Sequence, residues 1–512
     1  MVIIQKHCVS ADQQTGLSPL QEALLRQPEP VRIADAPTGA GKSYAFQYAM
    51  RHQQSRVLFI VPTKRLAQNL AGSLIHDLMH NAGFSQKNAE NKVALWSGDE
   101  TQKLKEQGVV NVRGLRLRQM ASLDETREGG EMIFAVPETI SHLLLRFRED
   151  QGLSSKSVLD FLTDFHHIVF DEFHTIEPRG FGLAGLFAVL AAHLQGIRAK
   201  ISFLSATPLN LQPVLRELGV PPEKMVLLCE SVGPEGRPIH GDVQLHWTEH
   251  PRLVEVLTEQ APLIQQTIQA GNQVMVIYDR LDELKRQQSE LSRFVDDIGL
   301  DHHRVLIINS IDDSSQSGQS YHGFARGRQH DPDQFDLIVA TASVEMGVTL
   351  RACYFLIMEP GFAPMNFLQR YGRAARRGHD GQVWVRFSNA DAQNKPWLRN
   401  LKDWMGLHEG QLVSIQELTQ NLSRDWTLAL PPSGGEVDIQ YFGELPRRAA
   451  FTTGLYWNVL MRHPSMKGHR FHYLKEHQPK TAKLLYHWIQ EVRKMEGDRE
   501  YGYAAKRWCD QF

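Results

Sequence analysis

The sequence predicts an α/β chain. Two tandem lobes, each a parallel sheet covered by helices, precede a small, mostly helical C-terminal domain. Three observations carry that prediction. Short, nearly all-apolar runs alternate with helical stretches at Val31–Ala34, Val57–Val61, His167–Phe170 and Ile201–Leu204. Strands of this kind are buried on both faces, as in a parallel sheet sandwiched by helices. A second series follows a segment rich in Pro, Gly and Glu, with runs at Gln273–Tyr278, Val305–Asn309, Phe335–Thr341, Tyr354–Met358 and Val383–Phe387. Finally, the first run leads directly into a glycine loop. The expected boundaries are 1–211 for the first lobe, 212–240 for a connector, 241–390 for the second lobe and 391–512 for the C-terminal domain.

That loop, Ala36-Pro37-Thr38-Gly39-Ala40-Gly41-Lys42-Ser43, stands between a strand and a helix. This order cradles nucleotide phosphates, because loop N–H groups and the positive end of the helix face the anion. Lys42 reaches the β- and γ-phosphates in such loops, and the Ser43 hydroxyl holds Mg²⁺. Ala36 stands where the general pattern has Gly, which leaves Gly39 and Gly41 intact. Thr38, Gly39, Ala40, Gly41, Lys42 and Ser43 are therefore the expected ATP-binding residues.

Composition excludes several other classes. Of 512 residues, 42% are hydrophobic and 22% charged, which rules out a disordered chain or a collagen-like repeat. Four cysteines (Cys8, Cys229, Cys353 and Cys509) are scattered without a CxxC spacing, so neither a zinc site nor a disulfide framework is indicated. A cytoplasmic protein fits best. Lys6 and His7 interrupt the short apolar start, and no apolar run approaches the roughly 20 residues of a membrane span. The net charge of −2 is uneven: Pro446 to Phe512 carry thirteen Lys and Arg against six Asp and Glu, a net +7. That region also holds Trp457, Trp488 and several tyrosines, a pattern that suits base stacking, a partner surface or a helical core equally. Arg113, Arg116 and Arg118 lie in a weakly patterned insertion and read as a basic face.

A second element is Ile168-Val169-Phe170-Asp171-Glu172-Phe173-His174. An apolar strand ending in two carboxylates points both at the nucleotide edge of the sheet. Asp171 is placed to hold the metal through water, and Glu172 to accept a proton from the attacking water. The third element runs from Asn366 to Gly378, with four arginines in eight positions: Arg370, Arg373, Arg376 and Arg377. Such a cluster repels itself unless anions neutralise it, whether nucleic-acid phosphates or the γ-phosphate of ATP. The spacing places Arg373 and Arg376 on one helical face.

Together these segments resemble the superfamily 2 DExH-type helicases, which have two RecA-like lobes. Ala36–Ser43 resembles motif I and Asp171-Glu172-Phe173-His174 motif II. Ser205-Ala206-Thr207 resembles motif III, Val276-Ile277-Tyr278 motif IV, Ala340–Val348 motif V and Gln369–Arg376 motif VI. The likeness spans roughly residues 15 to 390. It implies an ATP-dependent helicase whose ATP lies between the lobes, with Gln21 reading adenine and Gly347 and Gln369 belonging to the nucleotide site. Lys42, Glu172, Arg373 and Arg376 would carry the catalysis. It also implies nucleic-acid backbone contacts from Pro62, Thr63 and Arg65 in motif Ia, from Pro137 and Glu138 in motif Ic, and from Thr341 in motif V. Thr349 stands where many members have an Asp that contacts ribose, which leaves recognition of the sugar open.

Within the superfamily, the D-E-F-H box and the glutamate-containing motif V are closest to the helicase subunit of type I CRISPR–Cas interference. Only 35 residues precede Ala36, so the HD nuclease that usually accompanies that subunit is expected on a separate polypeptide. The partners implied are single-stranded DNA, a crRNA-guided surveillance complex and that nuclease, with no membrane. Movement is expected 3′ to 5′. Because the same motifs serve both nucleic acids, a DExH RNA helicase or a general DNA-repair helicase remains the alternative.

Overall fold

The structure is a computed structural model that describes residues 1–37, 39–110, 112, 130–145, 158–173, 176, 178–194, 196–206, 211–309, 322–327, 330–345, 353–376, 378–388 and 395–428, with five isolated positions beyond. Its architecture is the expected α/β one, with two parallel sheets. The first sheet has seven strands, in spatial order Val93–Trp96, Glu131–Ala135, Arg56–Ile60, His167–Asp171, Lys200–Ser205, Val31–Asp35 and Met225–Cys229. All six pairings are parallel. The central strands are buried along almost their whole length, which is why they are so uniformly apolar. Helices Pro19–Arg26, Lys42–His52 and Lys64–His80 cover one face and the long helix Pro178–His193 the other.

The second sheet has nine strands: Ala325–Arg326, Val305–Ile308, Leu337–Thr341, Gln273–Tyr278, Cys353–Met358, Gly381–Phe387, Val243–Glu249, Val2–Ile4 and Leu412–Val413. Sheet membership departs from the sequence expectation at three places. Val2–Ile4, expected in the first lobe, runs antiparallel to Val243–Glu249 with Val2 opposite Leu245. Met225–Cys229, expected in the connector, is the edge strand beside Val31–Asp35. Its five residues are as apolar as those of the inner strands, but they lie within the segment rich in Pro, Gly and Glu that reads as a connector. Leu412–Val413 pairs with the N-terminal strand, and helices Pro396–Leu407 and Ile415–Leu428 pack into the same core through Trp397, Leu401, Leu418 and Leu422. The basic, aromatic region after residue 428 lies outside the described residues, apart from the isolated positions.

A small three-stranded sheet joins the two lobes. His7–Val9 is flanked by Val232–Gly233 and Arg237–His240, both antiparallel to it. The chain thus passes between the sheets twice, once after Ile4 and once after His240. The stacked rings of His7, His240 and Tyr371 fill the junction, with centroids 5.1 and 5.3 Å apart. Burial pushes the His7 imidazole down to about 4 and holds that of His240 well below its usual range, so both are neutral.

Candidate nucleotide site

Strand Val31–Asp35 delivers the glycine loop to the carboxyl edge of the first sheet, and helix Lys42–His52 departs from it. Gly39 and Gly41 have φ of +89° and +83°, in the left-handed region where a side chain is strained. Space is limiting as well, since a Cβ on Gly41 would lie 2.8 Å from Gln21 Nε2. Lys42 is buried and its Nζ donates to the Ala36 carbonyl at 2.9 Å, folding the cation back over the loop. Ser43 follows on the first turn of the helix, half-buried.

Gln21 reaches this loop through helix Pro19–Arg26. Ser18 caps that helix, and Gln21 closes a capping box: its Oε1 accepts from the Ser18 N–H at 2.8 Å. Its Nε2 donates to the Gly41 carbonyl at 2.7 Å. Gln21 is 1% exposed, so in this structure its amide braces the loop.

Asp171 ends strand His167–Asp171, with only Lys200–Ser205 between it and the strand that feeds the loop. Burial, and then the negative charge of Glu172, push the Asp171 carboxyl up to about 7, against the pull of Lys42. Asp35 at the end of the loop strand is likewise raised by burial, to about 6, again opposed by Lys42. Glu172 has φ +47°, a conformation that costs a non-glycine residue energy and turns the chain sharply at the sheet edge. Oxygen donors of this kind, a carboxylate and a hydroxyl, suit Mg²⁺.

The Asp171 shift predicts a pH-dependent stability. An unfolded aspartate titrates near 3.8 and the folded one near 7. Within that window the folded state binds the extra proton, so stability falls as pH rises, and above it the fold carries the full cost of the buried charge. Ligand-free Asp171→Asn is expected to melt a few degrees above wild type near pH 8 and to converge with it below about pH 4. Equal melting curves across that range would refute the shift.

The arginine segment differs from its expected geometry. Helix Pro364–Tyr371 ends at Tyr371 with Gly372 as C-cap, so Arg373 and Arg376 do not share a helical face. Arg373 lies in the following turn, 7% exposed. Arg376 bridges to the backbone of His240, and its Nε donates to the Gly372 carbonyl at 2.7 Å. Gln369 is buried in the helix. Arg370 is not free for an external anion. It is fully buried, ion-paired with Asp279, and donates to the Glu359 carbonyl at 2.8 Å. Arg377, Thr38, His174, Thr207, Gly347 and Thr349 lie outside the described residues.

The segment nonetheless lies close to the loop. His240 bridges Arg376, while its neighbour Ile239 lies 3.0 Å from a Cβ built on Gly39. A cavity of about 380 Å³ opens between the lobes here, lined among others by Asp35, Pro37, Ala206, Glu230, His240 and Tyr371. Asp35 and Arg237 at the loop, and Asp279, the partner of Arg370, are residues that the sequence does not single out. Asp279 directly follows the motif IV strand, the one signal that could have marked it.

The expected nucleic-acid residues fall on the carboxyl edges of both sheets. Pro62 and Pro137 follow adjacent paired strands, Arg56–Ile60 and Glu131–Ala135. Thr63 caps helix Lys64–His80, accepting from the Leu66 N–H at 3.2 Å, and Arg65 lies in its first turn. Glu138 is exposed, whereas Thr341, at the end of its strand in the second sheet, is buried. No helix among the described residues is long and apolar enough to cross a membrane.

Comparison with known proteins agrees with this geometry. The chain resembles the DUF1998 helicase MrfA bound to DNA and AMPPNP, with TM-score 0.54 and 14% identity over 88% of this chain and 58% of that one. It also resembles the Mycobacterium smegmatis helicase Lhr bound to ssDNA and AMP-PNP, with TM-score 0.51 and 17% identity over 86% of this chain and 55% of that one. These likenesses establish the fold, two tandem RecA-like lobes, and the chain spans little more than half the length of either protein. No curated protein matches the sequence. Residues 18–214, which include the glycine loop and the Asp171-Glu172 pair, match the family model for the DEAD/DEAH box helicase.

Proposed function

We propose that the chain is an ATP-dependent translocase or helicase acting on single-stranded DNA, moving 3′ to 5′. One observation carries the reading: a glycine loop with a buried lysine shares a sheet edge with two carboxylates, one of them held at a raised pKa by burial. In this reading ATP lies on residues 38–43. Glu172 accepts a proton from the water that attacks the γ-phosphorus, and the leaving ADP oxygen takes the electron pair. Asp171 and Ser43 hold Mg²⁺, which supplies charge neutralisation when bound. Arg373 and Arg376 close the site from the second lobe and stabilise the transferring phosphoryl group. The segments at 62–65, 137–138 and 341 hold the backbone of the strand, fixing position without reading sequence.

The DNA assignment is tested by comparing ATP hydrolysis with single-stranded DNA and with RNA of matched sequence. Stimulation by DNA is expected. Stimulation by RNA alone overturns the assignment in favour of an RNA helicase. The finer placement in CRISPR–Cas interference, with a crRNA-guided complex and a separate HD nuclease, rests on the likeness of the D-E-F-H box and motif V. Genes for such a complex and nuclease beside this one would support it.

A further inference from the structure

The connector contributes a cation to the glycine loop from outside every motif of the sequence. Arg237 opens strand Arg237–His240, and its Nη2 donates to the Ala40 carbonyl at 3.1 Å. The same face of the loop receives Gln21 on the next carbonyl, that of Gly41. A Cβ built on Gly41 would lie 2.8 Å from Gln21 Nε2 and 3.5 Å from Arg237 Nη2, so the two side chains converge on a single residue. Gln21 is neutral and its amide is committed at both ends. Arg237 is exposed and forms no ion pair among the described residues. Glu230, which feels the charge of Arg237, accepts from the Ser18 hydroxyl at 2.5 Å.

A guanidinium that gives one donor to a neutral carbonyl, beside a loop shaped for a polyanion, has a better acceptor available once that anion arrives. Charge-assisted bonds to phosphate oxygens are roughly twice as strong as neutral ones, and the planar fork can grip two oxygens together. We propose that Arg237 is a nucleotide-binding residue. It contacts the polyphosphate of the nucleotide on the glycine loop and so links nucleotide occupancy to the junction between the lobes. The link is short: three residues on, His240 stacks between His7 and Tyr371 and bridges Arg376. The proposal rests on the ATP-binding reading above.

The test uses the full chain, with MgATP hydrolysis and displacement of a fluorescent ATP analogue by adenosine, ADP and ATP. Arg237→Ala is expected to raise KM for ATP about tenfold, the loss of one charge-assisted contact, with kcat changed less than about threefold. ADP should weaken in step with ATP and adenosine should not, while Arg237→Lys recovers part of the affinity. Because Arg237 is exposed, melting temperatures should agree within about 2 °C. If Arg237→Ala does destabilise the fold, the charge-retaining lysine variant decides the matter by its KM. An unchanged KM in Arg237→Ala overturns the proposal. So does equal weakening of adenosine, which moves the contact from the phosphates to the base. A wild-type chain that binds no ATP overturns the ATP-binding reading itself, a result distinct from either.

Discussion

Glu172→Gln is expected to lower ATP turnover by about 10²–10⁴-fold, the usual worth of a positioned general base. The amide keeps the size of the side chain and its place at the strained turn but cannot accept the proton of the attacking water. Nucleotide affinity should stay within about threefold of wild type, since the glycine loop is untouched. Removing the negative neighbour also relieves Asp171, so the Asp171 carboxyl should titrate lower than its present value near 7. Steady-state hydrolysis, with nucleotide binding measured separately, checks both effects. Unchanged turnover would end the assignment of Glu172 as the base.

Arg370→Ala is expected to destabilise the fold by about 3–5 kcal/mol, because it breaks a buried ion pair and leaves a carboxylate uncompensated. Arg370 is 0% exposed, and without it Asp279 keeps the Gly361 N–H at 3.0 Å and the more distant Lys395 ammonium at 3.6 Å. A second acid, Glu359, lies alongside and is already raised to about 7 by burial and by the charge of Asp279. Its partner is Arg386, at 3.4 Å. Removing Arg370 therefore unbalances a five-charge cluster at the carboxyl edge of the second sheet. Arg370→Lys should recover little, since one ammonium cannot serve both Asp279 and the Glu359 carbonyl as the fork does. Urea denaturation measures the loss. A stability within about 0.5 kcal/mol of wild type, coupled to lost hydrolysis, would instead make Arg370 an anion contact.

The arginine cluster shows where sequence reasoning stops. Four arginines within eight positions call for anions, which the sequence reading took to be phosphates. For Arg370, however, the anion is Asp279, 91 residues upstream, and nothing local in the sequence announces so distant a pairing. The helical spacing of Arg373 and Arg376 fails for a related reason. Gly372 ends the helix before both of them and the chain then turns toward His240, a tertiary contact that overrides the local period. The glycine loop and the two carboxylates were legible because their chemistry is local: each sits at the end of a strand whose uniform apolarity marks it as central. Met225–Cys229 was missed because its short apolar run is embedded in a segment rich in Pro, Gly and Glu. Val2–Ile4 was missed because three residues carry no period at all. Arg237 lacked any signal, since it serves the loop from 197 residues away.

That N-terminal strand also sets an order of assembly. Val2 pairs with Leu245, so this strand must wait for a partner made 243 residues later. At about 5–20 residues per second the delay is roughly ten to fifty seconds. In that interval every strand of the first sheet, down to Met225–Cys229, leaves the ribosome. The first lobe can therefore finish folding while its leading strand is still unpaired. The strand then docks late, as a long-range contact of the kind that slows folding, and closes the second sheet around a lobe already complete.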